Sequence, residues 1–168
     1  MHGNFSLLNK ISRYDSKMDI VTRKQRSRMM SGIKGKNTKP ERLLRSALHK
    51  LGFRFRIQQK DLPGKPDIVL PKYKTIIFVH GCFWHRHPGC KYAYTPKSNI
   101  EFWTNKLDGN VVRDGLTKKA LEDMGWRVLI VWECEIKSLL ENDSNLRNII
   151  TIEKCRSTHS MLAAGNKK

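Results

Sequence analysis

The stretch PGKPDIVLPKYKTIIFVHGCFWHRHPGC, residues 63–90, contains the features that decide the fold of this chain. Asp67 begins a short apolar run that ends at Leu70, and residues 75–79 form a second run of Thr, Ile, Phe and Val. Apolar runs of this length, bounded by Pro and Gly, are typical of buried strands. The sequence therefore predicts two strands joined by a turn, with a carboxylate at the start of the first and a polar loop after the second.

Helices and strands are predicted on both sides of this stretch. Thr38 and Glu41 form a capping box, which predicts a helix that ends at Gly52. Further elements follow from periodicity: a helical pattern over 18–36, a half-buried strand over 53–57, a helix over 99–124 broken near Asp108 and Gly109, a buried strand over 126–132 with Trp126 and Trp132 in the core, and short helices over 136–155. The order predicts an α/β fold, with a mixed central sheet flanked by helices.

The loop after residue 79 has the composition of a zinc site. Cys82, His87 and Cys90 provide three ligands of the kinds that Zn²⁺ prefers, and a closed tetrahedral site needs a fourth. Cys134 is the better candidate for it, and Cys155, in a polar tail, is the alternative.

Asp67 is the first candidate for catalysis. A carboxylate that starts a strand lies at a sheet edge, where it offers Mg²⁺ a hard oxygen ligand. The PD-(D/E)xK nucleases carry Glu-x-Lys on the following strand, and here that place holds Phe78-Val79-His80. The first half of that motif is therefore present and the second half is missing.

The charge of the chain indicates a polyanionic partner. Lys and Arg number 33 against 15 Asp and Glu, a net charge of +18, and residues 1–60 hold 16 basic and 3 acidic residues. Such a field favours nucleic acid, although ribosomal and membrane-surface proteins are equally basic. Residues 1–17 lack the apolar segment of a signal peptide, and no apolar run is long enough to cross a membrane, so we expect a cytoplasmic protein.

Several blocks in the correct order resemble the very-short-patch repair endonucleases, bacterial enzymes that nick beside T:G mismatches left by deamination of 5-methylcytosine. The resemblance covers roughly residues 22–137. It is carried by blocks at residues 26–30, 40–41, 62–67, 80–85, 101–103, 110–114 and 125–134. It implies a restriction-endonuclease-like fold, Mg²⁺-dependent nicking with two catalytic ions, one structural Zn²⁺, a monomer that binds double-stranded DNA, and a functional link to a cytosine-5 DNA methyltransferase and to mismatch repair proteins.

The resemblance also implies roles for individual residues. Asp67 is similar to the family's metal-binding aspartate, His80 to a catalytic histidine, and Asp114 to the carboxylate partner of that histidine. Glu41 and His85 match two accessory residues of the active site, although capping alone accounts for Glu41. The family uses a backbone carbonyl before the histidine as a metal ligand; here that residue is Val79 in place of the usual Thr.

The structural zinc ligands implied by the resemblance are Cys82, His87, Cys90 and Cys134, with His85 as the competing imidazole. Aromatic side chains in the same region resemble the residues that push into the duplex beside the mismatch, and a basic arm resembles the part that approaches from the minor groove. The DNA-binding residues implied are Phe83, Trp84, Trp103, Met30, Ile33, Lys106 and Asn110.

The predicted domain organisation is a flexible extension over 1–21, an endonuclease domain over 22–155 with its basic arm over 22–37, and a polar tail over 156–168. Two alternatives stay open on sequence alone. One is a zinc-stapled DNA-binding protein without catalysis, which would need neither Asp67 nor His80. The other is a restriction or structure-specific nuclease with a different target. As a member of the resembled family, the protein would be bacterial and associated with the nucleoid.

Overall fold

The structure is a computed structural model that describes residues 22–32 and 35–151. Its elements, in chain order, are α1 (Arg23–Ser31), α2 (Lys39–Lys50), β1 (Ile68–Leu70), a 3-10 turn (Pro71–Tyr73), β2 (Thr75–His80), α3 (Ile100–Asp123), β3 (Arg127–Trp132), a second 3-10 turn (Glu133–Glu135), α4 (Ile136–Leu140) and α5 (Asp143–Thr151). Ile33, Cys155, the predicted extension and the predicted tail lie outside the described residues.

The three strands form one mixed sheet in the order β1-β2-β3. β1 runs antiparallel to β2, and β2 runs parallel to β3. The first residue of β1 therefore lies at the same end of the sheet as the last residues of β2 and β3. This topology places Asp67, which precedes β1, beside His80 at the end of β2 and Glu133 just after β3.

Apolar side chains cover both faces of the sheet. Because successive strand residues point to opposite faces, Ile68, Leu70 and Ile77 join one cluster, whereas Val69 and Ile76 join the other. The first cluster includes residues of α2, α4 and α5, and the second includes Leu121 of α3. The predicted class, a mixed sheet flanked by helices, is confirmed.

Helix α2 begins as the sequence predicts. The Thr38 side chain accepts from the Glu41 amide, and the Glu41 side chain accepts from the Thr38 amide, so the capping box is complete. Gly52 follows the C-cap with φ +84°, a left-handed conformation that glycine adopts at low cost. The predicted turn at 71–74 is also present, as a 3-10 turn followed by Lys74 at φ 47°.

The predicted strand over 53–57 is wrong. Among these residues, Arg56 alone pairs with the sheet, through a single antiparallel bridge to Val69. β1 is three residues long and offers little backbone for a ladder, and Gln58 at φ 51° turns the chain away soon after the bridge. Phe53 is still buried in the first core cluster and Phe55 packs against it, whereas Ile57 is exposed, so the alternation indicated burial only in its first part.

The predicted break in α3 is also wrong, because the helix runs without interruption for 24 residues. A glycine inside a helix costs about 1 kcal/mol relative to alanine. Burial of Trp103, Leu107 and Leu121 along one face of α3 outweighs that cost at Gly109. None of the helices in the described part of the chain is long and apolar enough to cross a membrane.

Candidate active site and metal centre

A cleft of about 810 Å³ opens at the end of the sheet where β1 begins and β2 and β3 finish. Its lining includes five of the residues predicted to be catalytic: Glu41, Asp67, His80, His85 and Asp114. The loop that precedes Asp67 forms one wall and α3 forms the other. The two walls meet closely at Gly64, because a Cβ added there would lie 2.3 Å from Cγ2 of Thr117.

Asp67 is held by the neighbouring strand. The Val79 amide donates to Oδ2 of Asp67 at 2.8 Å, a bond that fixes one carboxylate oxygen at the end of β2. Burial and the nearby charge of Glu41 raise the pKa of Asp67 to about 6, against the lowering effects of the Val79 amide, Arg45 and His85. A carboxylate whose charge is this poorly solvated favours a cation beside it.

His80, His85 and Asp114 form a second group in the cleft. The rings of His80 and His85 stack with centroids 3.9 Å apart and planes 13° apart. Nδ1 of His85 lies 2.5 Å from Oδ2 of Asp114. The sequence paired Asp114 with His80; in the structure the carboxylate is bonded to the accessory histidine, although ligand atoms of His80, His85 and Asp114 all lie within 4.8 Å of one another.

The environments of the two stacked histidines are unequal. His80 is 6% exposed, and burial together with the charge of His85 lowers the pKa of His80 to about 4, against a raising effect of Asp114. His80 is therefore neutral at neutral pH and offers a lone pair or one N–H. His85, bonded to a carboxylate, has the arrangement that orients an imidazole for proton transfer.

Glu41 is buried, at 6% exposed, and its capping role is confirmed. Its two oxygens accept from the amides of Asn37 and Thr38, from the Thr38 hydroxyl at 2.7 Å, and from Arg45 at 2.9 Å. The same carboxylate lines the cleft and acts on the pKa of Asp67. Glu41 is thus a fixed negative charge behind Asp67.

A cluster of cysteine and histidine side chains lies on the side of the loop after β2 that is opposite to His85 and Asp114. Ligand atoms of Cys82, His87, Cys90 and Cys134 lie within 4.8 Å of one another. Nδ1 of His87 is 3.3 Å from Sγ of Cys134 and 3.7 Å from Sγ of Cys82. These are the four residues predicted from the sequence, and they will be called the Cys/His cluster.

The donor set of the Cys/His cluster fits a tetrahedral zinc ion. Zn–S bonds of about 2.3 Å place ligand atoms roughly 3.5–3.8 Å apart; the 3.7 Å from His87 to Cys82 falls in this range, and the 3.3 Å to Cys134 is slightly shorter. Its other ring nitrogen, Nε2, lies 3.8 Å from Oε1 of Glu135, the kind of carboxylate that orients a metal-bound histidine. The Tyr92 amide lowers the pKa of the Cys90 thiol, which favours the thiolate that binds metal, whereas burial and the neighbouring Cys82 and Cys90 raise the pKa of Cys134 to about 12.

Aromatic rings form a cluster above the cleft. Phe83 contacts Trp84, Tyr94 and Trp103, with centroids 5.0, 5.4 and 5.6 Å away. Trp103 is only 7% exposed, so it supports Phe83 and Trp84 from below. The base contact of Trp103 stays a prediction.

Asn110 is also buried. It is 8% exposed, and its side-chain amide donates to the Trp84 carbonyl at 2.9 Å. The residue holds the aromatic loop on α3, and its contact with a base edge stays a prediction. Lys106 is exposed on the same helix, and Met30, 37% exposed, lies on α1.

Sequence reasoning missed several residues of this region. Tyr94 and Phe102 are 63% and 61% exposed and pack on the aromatic cluster. The cleft is also lined by the basic side chains of Lys36, Arg45, Lys60, Lys65, Arg113 and Lys118. Net charge alone could not place these cations at the cleft, since they come from four separate segments of the chain.

The fold and the site together define an α/β protein with a carboxylate–histidine cleft beside a Cys/His metal cluster. A family model described as DNA mismatch endonuclease Vsr matches residues 18–91. The type II nicking enzyme V.XorIIP of Xanthomonas oryzae is 46% identical over 132 residues, which cover 79% of this chain and 96% of that protein. For V.NmeAIP of Neisseria meningitidis the identity is 49% over 120 residues, 71% of this chain and 85% of the relative. DNA mismatch endonuclease Vsr of Escherichia coli is 43% identical over 119 residues, 71% and 76% of the two chains.

The chain belongs to the Vsr family of DNA mismatch endonucleases and is an endonuclease. The family predicted from the sequence is confirmed, and the alternative of a DNA-binding protein without catalysis is set aside.

Proposed function

We propose that this endonuclease nicks one strand of double-stranded DNA beside a T:G mismatch and so starts very-short-patch repair. The observation that carries the proposal is the joint placement of Asp67, His80 and the His85–Asp114 pair in one cleft under an aromatic loop. A metal-binding carboxylate and an oriented imidazole within one cleft suit the hydrolysis of a phosphodiester.

Asp67 and the carbonyl of Val79 are the proposed ligands of the catalytic Mg²⁺, with a second ion expected from the family. Mg²⁺ neutralises the scissile phosphate and lowers the pKa of the attacking water when it is bound. Asp67 fits this role because the Val79 amide is bonded to Oδ2 and not to the other carboxylate oxygen. The carboxylate also lines the cleft, where burial raises its pKa. Glu41 adds negative charge behind it, which favours a cation over a neutral ligand.

The histidines are the proposed groups that move protons. Asp114 fixes the Nδ1–H tautomer of His85, so that Nε2 is left to exchange a proton with water or with the leaving oxygen. His80, with its pKa lowered to about 4, stacks on His85 as a neutral ring and keeps its plane fixed. This assignment exchanges the roles of the two histidines relative to the sequence prediction.

The Cys/His cluster is the proposed site of one structural Zn²⁺. Cys134 follows β3 and the other three ligands lie in the loop after β2, so a bound ion ties the loop to the sheet. Zinc sites of this donor set stabilise the fold around them. We infer from membership of the Vsr family and from the mixed sheet flanked by helices that the fold is of the restriction-endonuclease-like type.

DNA binding is proposed to divide between charge and stacking. The basic cleft residues and α1 contact phosphates, which supply affinity independent of sequence. Phe83 and Trp84, with Tyr94 and Phe102 beside them, contact the bases near the mismatch, where poor pairing lowers the cost of unstacking. Met30, Ile33 and Lys106 stay predicted contacts, and the protein is proposed to act as a monomer.

A nicking assay tests the proposal. Wild-type protein and the variants Asp67→Asn and Asp61→Asn are compared in single turnover on T:G, other mismatched and fully paired duplexes of identical flanks, with Mg²⁺ or with EDTA. We expect Mg²⁺-dependent nicking of T:G by wild type and by Asp61→Asn, whose residue is exposed outside the cleft, and none by Asp67→Asn.

Binding by Asp67→Asn should stay within about three-fold of wild type, since the substitution keeps the shape and removes a metal ligand. Equal cutting of paired and mismatched DNA would favour the other alternative, a restriction or structure-specific nuclease. Normal nicking by Asp67→Asn would show that the metal assignment is incorrect.

The loop has its own test. Stacking is worth about 1–3 kcal/mol per base, so Trp84→Ala should lower the preference for T:G over T:A duplexes roughly ten-fold or more. Equal weakening on both duplexes, with their ratio unchanged, would exclude the loop as the mismatch reader.

A further inference from the structure

Trp132 was predicted to be a core residue, and the structure gives it another position. It is half-buried at the end of β3 and is absent from both apolar core clusters. Its indole stacks on the imidazole of His87, with centroids 4.1 Å and planes 9° apart. The rings of Trp132 and His80 meet in a T-shaped arrangement, with centroids 5.4 Å and planes 74° apart.

These contacts complete an unbroken series of rings between two sites. His87 belongs to the Cys/His cluster and stacks on Trp132; Trp132 meets His80, which stacks on His85. Asp114 closes the series at 2.5 Å from His85. The backbone agrees with this order, because Trp132 is the direct partner of His80 in the β2–β3 register.

We propose that Trp132 is a positioning residue, through which the Cys/His cluster fixes the ring planes of His80 and His85 for strand cleavage. The inference rests on the proposed function, since it assumes that the histidine pair takes part in nicking. A flat ring is needed at both contacts: the face of Trp132 matches the plane of His87, and the T-shaped contact with His80 limits rotation of that ring. A leucine side chain is smaller than the indole and has no flat face, so it leaves both rings freer to turn.

The expected consequence is a slower chemical step with unchanged DNA binding. Misplacement of a catalytic group by about 1 Å costs on the order of 100-fold in rate. DNA is held by other parts of the molecule, the basic cleft walls and the aromatic cluster, neither of which includes Trp132. A residue that only supports folding would lower both properties in proportion to the unfolded fraction.

The experiment compares three variants: Trp132→Leu, Trp132→Phe and Trp126→Leu. Trp126 is the matched control, the other tryptophan next to β3, which packs against the second core cluster and on Lys74 rather than on a histidine. Each variant is measured for single-turnover nicking, for the Kd of a T:G duplex, and for bound zinc per chain.

We expect Trp132→Leu to nick at least about ten times more slowly, with a Kd within about three-fold of wild type and one zinc retained. Trp132→Phe keeps a flat ring and should restore the rate to within about three-fold. Trp126→Leu should melt at lower temperature and nick at the wild-type rate when folded. An unchanged rate in Trp132→Leu, a loss of zinc equal to the loss of rate, or failure of Phe to rescue would overturn the inference.

His85→Ala distinguishes this result from a failure of the proposed function. If His85→Ala nicks normally, the histidine mechanism is incorrect whatever Trp132 does. If His85→Ala is inactive while Trp132→Leu is fully active, the mechanism stands and the role assigned to Trp132 is incorrect.

Discussion

His85 and His87 lie two residues apart in the same loop and serve different sites. His85 faces the cleft, with Nδ1 2.5 Å from Asp114, whereas His87 faces the cysteines, with Nδ1 3.3 Å from Sγ of Cys134. Arg86 stands between them at φ 51°, a left-handed conformation that turns the chain within a single residue. Two identical side chains thus acquire different chemistry from the partners that α3 and β3 bring to them.

The largest effect should come from exchanging the two histidines for alanine in parallel. We expect His85→Ala to lose roughly 10²–10⁴-fold in nicking rate, the usual contribution of a general acid or base, and to keep its zinc and melting temperature. His87→Ala should lose zinc and stability. Nicking rates, metal analysis and thermal melts on both proteins check the expectation. Loss of zinc from His85→Ala would contradict the separation of the two sites.

A second prediction concerns the Cys/His cluster alone. Cys82 is 2% exposed, so Cys82→Ser should lower stability through both lost zinc and a buried hydroxyl. A loss of about 3 kcal/mol lowers the melting temperature of a domain of this size by roughly 6–12 °C. Cys134→Ser should have a similar but smaller effect, since Cys134 is exposed.

The control for the cluster is Cys155→Ser. That residue was the alternative fourth ligand on sequence alone, and its substitution should leave zinc content and melting temperature unchanged. A zinc loss in Cys155→Ser with none in Cys134→Ser would reverse the ligand assignment.

A third, smaller effect is expected at Asp114, which acts on the cleft through His85. Asp114→Asn keeps a hydrogen-bonding group but removes the charge that stabilises an imidazolium. We expect a loss of nicking of about ten- to a hundred-fold, less than for His85→Ala, with DNA binding unchanged. A loss greater than that of His85→Ala would give Asp114 a direct role, such as metal binding. Rates measured from pH 6 to 9 with saturating Mg²⁺ make this comparison.

The smallest predicted effect is the net change of folding stability with pH, because the contributions of two cleft residues to it have opposite signs. Below pH 6.5 the unfolded chain protonates His80 while the folded pKa is about 4, so His80 lowers stability as pH falls. Asp67, with a folded pKa of about 6 against 3.8, takes up its proton earlier in the folded state and raises stability as pH falls.

Single variants should separate these two contributions. Relative to wild type, Asp67→Asn should lose stability more steeply between pH 6.5 and 4, and His80→Gln less steeply, by about 2–3 kcal/mol each. Urea unfolding without added divalent metal measures both slopes. Parallel slopes in all three proteins would mean that the two groups are not perturbed by burial as described.

Much of the site could be predicted because it follows contiguous sequence. Asp67, His80 and the three loop ligands lie within residues 67–90, and the zinc donor types are recognisable from composition. The partner of Asp114 could not be predicted, because it depends on how α3 crosses the loop. The burial of Trp103 and Asn110 could not be predicted from the sequence either, since both lie on a helix whose buried face is set by tertiary packing.

In the fold, too, the features set by local sequence were predicted and those set by tertiary packing were not. The strands with continuous apolar runs were predicted correctly, and so was the capping of α2, because these features are local. The false strand over 53–57 and the false break at Gly109 both arose where tertiary packing outweighed a local preference. Alternation predicted the burial of Phe53 but could not show that β1 is too short to accept a full partner strand.

Helix α3 sets the relative positions of several side chains that build the site. Along one face it presents, at intervals of three or four residues, Trp103, Leu107, Asn110, Asp114, Thr117 and Leu121. These side chains in turn support the aromatic cluster, hold the Trp84 carbonyl, orient His85 and meet the loop at Gly64. A single inserted residue rotates everything after it by about 100°. One insertion after Gly109 would therefore misalign Asn110, Asp114, Thr117 and Leu121 together, so the length of this helix is far less free to change than the identity of its exposed residues.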